Sequence, residues 1–202
     1  MNWLEKNPIV WTDSGLSWIN EARTWSLIEG HPLILTAPQH ADFFNDPSLG
    51  SIVSTAPFLY ARVQGNFVAS IQLSVDMIAQ CDSGCLMMMS DELNWAKICF
   101  EFMNKVPTVV TVVTRTKSDD CNSKAVAVTA PFFRLTRFGN CFAFHYSEDG
   151  DQWELVRYFS MEVPNELKVG LVAQSPFGSG CTVFFHSFET NSNVNDDVRT
   201  VK

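Results

Sequence analysis

Apolar and polar residues alternate with period two through much of this chain. Phe67, Ala69, Ile71 and Leu73 fall on one side and Val68, Ser70, Gln72 and Ser74 on the other; Ala96, Ile98, Phe100 and Phe102 likewise oppose Trp95, Lys97, Cys99 and Glu101. Side chains of a strand point alternately to opposite faces, so each run predicts a strand with one core side and one polar side. The clearest case spans Phe133 to Phe159, where two runs are broken at Phe138-Gly139-Asn140 and Asp149-Gly150-Asp151. Glycine-containing turns between β-rich runs predict a three-stranded meander. Leu135, Phe142 and Phe144 then face one way, and Arg134, Thr136, His145 and Ser147 the other.

Short strands are also predicted at Trp11-Thr12, Trp25 to Ile28 and His31 to Thr36, and a hairpin between Ala56 and Val75 turning at Gln64-Gly65-Asn66. Cys85 to Ser90 reads as a buried run, and Val106 to Thr114 as a strand rich in β-branched residues. Two closing strands, Leu167 to Pro176 and Thr182 to Phe188, flank Gly178-Ser179-Gly180, while segment 38–47 reads as a long loop or a single helical turn and 117–123 as a loop. Trp3, Trp11, Trp18 and Trp25 are expected to pack in the core and at sheet edges. About twelve to fourteen strands at close spacing, with no convincing amphipathic helix, predict an all-β chain, a two-sheet antiparallel β-sandwich or jelly roll. Residues 1–190 form a single domain on this reading, and 191–202 a polar, flexible tail.

With 22 acidic against 14 basic residues and no basic cluster, nucleic acid and anionic membrane are excluded as general partners. Residues 1–30 hold no uninterrupted apolar run, so a cytoplasmic protein is expected, with its six cysteines reduced. The Cys81-x3-Cys85 pair lacks the partners of a zinc or redox site.

If the polar sides of the central strands share one surface, Trp95, Lys97, Glu101, Arg134, Thr136, His145, Ser147 and Gln174 make a groove. An aromatic platform with mixed charges and amides suits a sugar, which offers an apolar ring face and many hydroxyls. The bland alternative is a solvated sheet with cross-strand ion pairs. Glycoside hydrolysis normally needs two carboxylates, and the strand Lys97 to Glu101 supplies one; Asp149 and Asp151 sit at a turn. Glu101 and His145 are the weak catalytic candidates, as acid and base. A thiol nucleophile would pair Cys99 or Cys141 with His145, but positions 141 and 145 are about 13 Å apart along one strand. His40, Asp42 and Asp46, and the run Asp119-Asp120-Cys121-Asn122, contain metal-type ligands but read as turn chemistry. No metal or cofactor is expected.

The runs WAKICFEF, VPTVVTVVTRTKSDDCNS, FRLTRFGNCFAFHYSEDGDQWELVRYF and VGLVAQSPFGSG, with a closing FFHSF, together resemble the regulation-of-enolase family of concanavalin A-like proteins. Relatives of that family also occur as accessory domains of some glycoside hydrolases. The resemblance runs in order over about residues 10 to 190 and implies a concanavalin A-like lectin/glucanase sandwich without a catalytic motif. A shared fold does not select an activity. The expected function is a non-catalytic binding or regulatory protein with a lectin-like groove for a carbohydrate or small sugar. The resemblance adds a glycolytic enzyme such as enolase as a protein partner. The alternatives are a carbohydrate-active enzyme using Glu101 and His145, and an interaction module acting through loops 39–48 and 117–124.

Overall fold

The computed structural model describes residues 1–4 and 15–200. Their strands are β1 (Leu16–Ile19), β2 (Thr24–Ser26), β3 (Leu33–Pro38), β4 (Phe43–Asn45), β5 (Ile52–Ser54), β6 (Phe58–Gln64), β7 (Phe67–Val75) and β8 (Ser83–Asp91). There follow β9 (Asn94–Met103), β10 (Val106–Arg115), β11 (Lys117–Ala125), β12 (Phe132–Phe138), β13 (Cys141–Ser147), β14 (Glu154–Ser160), β15 (Glu166–Gln174) and β16 (Gly180–Asn191). No helix occurs among the described residues, and none is therefore long and apolar enough to cross a membrane.

Two antiparallel seven-stranded sheets stack into an all-β jelly-roll sandwich. The front sheet has the order β1-β6-β15-β8-β9-β10-β11 and the back sheet β14-β13-β12-β7-β16-β3-β2; β4 and β5 form a separate hairpin. The alternation in the sequence places the core. Ile98 pairs with Leu86 and Thr111, so one side of the front sheet carries Leu86, Ile98 and Val109 inward. The back sheet answers with Leu73, Leu135, Phe144 and Val183, all fully buried. At Gly84 the sheets come so close that an added Cβ would lie 2.5 Å from Val183 and 2.6 Å from Leu73.

The meander forms as expected, with Leu135 opposite Phe144 and Arg134 opposite His145. The Gln64-Gly65-Asn66 hairpin does not. β6 belongs to the front sheet and β7 to the back, so this turn carries the chain from one sheet to the other. Gly65, at φ +68°, donates its amide to the carbonyl of Asn165 (3.0 Å), and the Asn66 side chain accepts from Gly139 (2.8 Å). β15 and β16 part in the same way, one to each sheet. Periodicity reports which residues share a face but not which strand lies alongside, which is why the Gln64-Gly65-Asn66 crossing reads as a hairpin.

Segments 38–47 and 117–123 are not loops throughout. The first contains β4, and the second lies in β11, an edge strand whose polar residues face water on its free side. A charged edge strand of this kind blunts sheet-to-sheet association. The strand expected at Trp25 to Ile28 is confined to Thr24–Ser26, and Trp11-Thr12 lies outside the described residues. Trp3 stacks on Phe188 at 6.2 Å, and Trp18 meets Trp25 at 5.9 Å across the sandwich edge. Residues 192–200, a polar tail by composition, lie over the outer face of the back sheet, where Val198 is buried and the Thr200 carbonyl accepts from Arg134 (3.4 Å).

Gly170 in β15 marks the tightest strand approach: a Cβ there would lie 2.0 Å from the carbonyl oxygen of Leu59. Gly170→Ala is expected to cost about 3 kcal/mol or more, since backbone cannot yield as a side chain can. A lowered urea midpoint at unchanged slope would show it.

Candidate functional site

The outward side of the front sheet carries Lys97 and Glu101 of β9 with their neighbours Val112 of β10, Asp120 of β11 and Gln174 of β15, as the strand registers require. Segment 41–45 lies over this face. It is fixed by the Ala41 to Ser175 bridge (3.0 Å) and by Asn45, whose amide donates to Ser118 and whose side chain donates to Thr116 and Glu92 carbonyls. Phe43 fits beneath it, edge-on to Trp95 (6.2 Å) and Phe58 (6.3 Å).

The Lys97 ammonium is only 3% exposed. It donates to the Phe43 carbonyl (2.8 Å) and the Gln174 side-chain oxygen (2.7 Å), and lies 3.6 Å from an oxygen of Asp42. Gln174 closes the ring by donating to that same Asp42 oxygen (2.6 Å). Burial, the largest single influence, pushes the ammonium toward deprotonation, but Asp42, Cys99, Cys85 and Glu101 together outweigh it and hold the Lys97 pKa above its ordinary value.

Beside this ring opens a pocket of about 210 Å³, lined among others by Asp42, Phe44, Cys81, Glu101, Asp120 and Phe177. Glu101 is 8% exposed, and the Cys81 thiol is its hydrogen-bond partner. Burial pushes its pKa up to about 7; Lys97 and the Cys81 thiol pull it down, while the charges of Asp42 and Asp120 add to the rise. Burial and the neighbouring Glu101 push the Cys81 thiol up to about 12, so it is no nucleophile at neutral pH. At the mouth, the Phe177 ring is 71% exposed.

The predicted groove is therefore corrected. Lys97, Glu101 and Gln174 come together. Trp95 shares their face but is sealed under Phe43 at 1% exposure and offers no platform. Arg134, Thr136, His145 and Ser147 belong to β12 and β13 of the back sheet, on its outer face, with the whole sandwich between them and Glu101. Glu101 and His145 cannot act as an acid–base pair, nor can Cys99 meet His145. His145 is fully buried, its ring nitrogens have no hydrogen-bond partner, and its pKa falls to about 4 through burial and the charge of Arg134, with the Arg199 backbone acting in the opposite direction. The Arg134 guanidinium stacks on Trp153 at 4.4 Å. Ser147 is a turn residue, accepting from the amides of Asp149 and Gly150.

Asp119 and Asp120 are consecutive in a strand and point to opposite faces: Asp119 pairs with Arg157 (3.2 Å) while Asp120 reaches the pocket. Asp46 caps its own turn through Ser48 and Leu49. Among the described residues no group of three or more His, Cys, Asp or Glu side chains is spaced to hold a metal ion, and all six thiols are free. Phe44 and Phe177 escaped the sequence reading, which weighed Asp42 and Asp120 only as metal ligands. A Pro-Phe-Gly-Ser-Gly turn was the available signal for Phe177, since a large ring in such a turn has no core to enter.

Residues 18–193 match a family model described as a protein of unknown function, DUF1349. Comparison with curated proteins gave no match. A functionally unknown protein from Saccharomyces cerevisiae superposes with a TM-score of 0.84 at 21% identity, over 90% of this chain and 98% of that one. The GH43 protein BlXynB from Bacillus licheniformis gives 0.74 at 14% identity, over 95% of this chain but 39% of its own. Carbohydrate binding module CBM66 from Bacillus subtilis gives 0.59 at 14% identity, over 88% of this chain and 96% of that one. At these identities the likeness is one of fold.

Two measurements check the electrostatics. Lys97→Met strips Asp42 and Gln174 of their cation and is expected to cost about 2 to 3 kcal/mol in chemical denaturation. For Glu101, the folded-state pKa near 7 lies above the ordinary 4.5, so the folded protein holds the extra proton between these values and stability falls as pH rises from 4.5 to 7. His145 acts oppositely, destabilising the fold as pH falls from 6.5 toward 4. Glu101→Gln removes the first effect alone: it is expected to match the parent near pH 4.5 and exceed it by up to about 3 kcal/mol at pH 8.

Proposed function

The chain belongs to the DUF1349 family, and from that footing we propose that it is a non-catalytic saccharide-binding protein whose site is the front-sheet pocket. The observation that carries this is Phe177, an exposed aromatic ring at the mouth of a pocket lined by the carboxyls of Asp42, Glu101 and Asp120. A pyranose or furanose presents an apolar ring face to such an aromatic and hydroxyl donors to such acceptors. Lys97 and Gln174 are already bonded to protein groups and act as the frame that fixes Asp42. At about 210 Å³ the pocket is smaller than the roughly 300–1,000 Å³ of drug-sized sites and suits one sugar residue, free or terminal on a chain. The fold of a carbohydrate binding module and of part of a GH43 protein supports the same ligand class.

Glu101 favours a second reading. A carboxyl poised near 7 is the usual equipment of general acid–base catalysis. Its partner carboxylate would be Asp42 or Asp120, never His145. Turnover of aryl glycosides that vanishes in Glu101→Gln would establish it. A cytoplasmic regulatory contact with a glycolytic enzyme such as enolase is the finer possibility offered by the sequence resemblance; recovery of that enzyme on the immobilised chain would support it.

Titration with a panel of monosaccharides and oligosaccharides tests the main proposal. At least one sugar should bind, and Phe177→Ala should weaken it about tenfold, the size of one lost stacking contact. The melting temperature should not move, because this ring is 71% exposed. A panel without a single binder would sink the reading.

A further inference from the structure

We propose that the outer face of the back sheet holds a second saccharide site, a cleft between the sheet and the turn 195–199 that takes a neutral oligosaccharide; the inference rests on the saccharide reading for its ligand class alone and shares no residue with the front pocket. The strand registers build its floor. Phe138 of β12 stands opposite Cys141 of β13, and Tyr158 of β14 opposite Ala143, so two rings flank small β13 residues on one face. Neither ring enters the core: Phe138 is 40% and Tyr158 49% exposed. The Cys141 thiol is in hydrogen-bond contact with the Tyr158 hydroxyl and fixes the tip of that ring.

The turn 195–199 makes the wall, and its own bonds shape it. Oδ1 of Asn195 accepts from the Asp197 amide (3.3 Å), Oδ1 of Asp197 accepts from the Arg199 amide (3.1 Å) and Nε (2.8 Å), and buried Val198 anchors the turn to the sheet. These bonds leave a defined set of polar groups over. The Asn195 amide nitrogen, the Asp196 carboxylate and Nη1 of Arg199 are bonded to no other described residue, and all three residues line the cleft. An amide donor, a guanidinium donor and a carboxylate acceptor beside two aromatic rings match a sugar's hydroxyls and its apolar ring face.

Charge and size narrow the ligand. Asp197 pairs with Arg199 (2.8 Å) and leaves Asp196 as the one unpaired charge among the lining residues, so an acidic sugar is repelled and a neutral one is not. Arg199 also lies over the Tyr158 ring at 5.4 Å, which holds its remaining donor beside the platform. The cleft encloses about 490 Å³, within the roughly 300–1,000 Å³ usual for ligand sites and more than twice the 210 Å³ of the front pocket, so it suits two linked sugar residues rather than one.

The test is a site-resolved NMR titration of the whole chain with glucose, galactose, mannose and xylose, each beside a disaccharide of the same unit, and with glucuronate. Amides of residues 138–141, 158 and 195–199 are expected to shift together along one saturating curve, tighter for a disaccharide than for its monosaccharide and absent with glucuronate. Tyr158→Ala is expected to weaken that curve about tenfold while the curve read at residues 174–178 keeps its midpoint. Asn195→Ser retains an oxygen to cap Asp197 but loses the free amide, so it weakens the back-sheet curve at an unchanged melting temperature. If residues 174–178 alone respond, the second site is overturned while the front-pocket reading stands; if the back-sheet group alone responds, the second site stands and the front pocket falls. A monosaccharide bound there as tightly as its disaccharide, a glucuronate curve as tight as that of glucose, or Tyr158→Ala binding like the parent overturns the second site. No shift with any sugar overturns both readings together.

Discussion

Burying the Lys97 ammonium beneath the covering segment costs several kcal/mol unless its protons find acceptors, and the site is arranged around the way they find them. Two acceptors come from outside β9 and lie far away in sequence: the Phe43 carbonyl and the Gln174 side chain. Asp42 supplies the balancing charge, and Gln174 locks Asp42 in turn. One cation therefore joins β9, β15 and the segment above the sheet. Replacing it with an apolar side chain could give a dry contact of similar strength, but no such contact would orient Asp42 toward the cavity. What the ion pair contributes is the position of a carboxylate.

The same ring explains the poise of Glu101. It lies four residues beyond Lys97 on the same strand and face. The ammonium's pull on it is weaker than the effect of burial, and Asp42 and Asp120 work against that pull. A carboxyl with a pKa near 7 results, neither fully charged nor fully neutral. His145 is perturbed in the opposite sense by the same physics on the other sheet, where burial and Arg134 disfavour its charged form. The two groups load the fold at overlapping pH ranges with opposite signs, so the parent protein's stability is expected to vary less with pH than either group would dictate alone.

Much of the architecture was legible because alternation is a local property. Phe133 to Phe159 forms its meander, and the inward sets on β7 and β9 are the expected ones. Sheet membership is not local. Gln64-Gly65-Asn66 has the composition of a hairpin turn, yet it bridges the sheets, and Lys117 to Ala125 has the composition of a loop, yet it pairs with β10. The site suffered most from this. Arg134 and His145 share a polar face with each other, Lys97 and Glu101 share one too, and nothing in their spacing says that these are opposite surfaces of the sandwich. Burial was the second hidden quantity: Trp95 looks like a platform until Phe43 is placed over it.

The covering segment is thus what turns a sheet face into a pocket. Without residues 41–45, Trp95 and Lys97 would be exposed and the face would be the open aromatic and charged groove that its sequence suggests. With them, the exposed aromatic of this face is Phe177, brought alongside by the Ala41 to Ser175 bridge, and the carboxyls that line the pocket are those of Asp42, Glu101 and Asp120. On the proposed saccharide reading, the discriminating contacts fall to Asp42, Phe44, Pro176 and Phe177 against Glu101 and Asp120, a set drawn from four separate stretches of sequence.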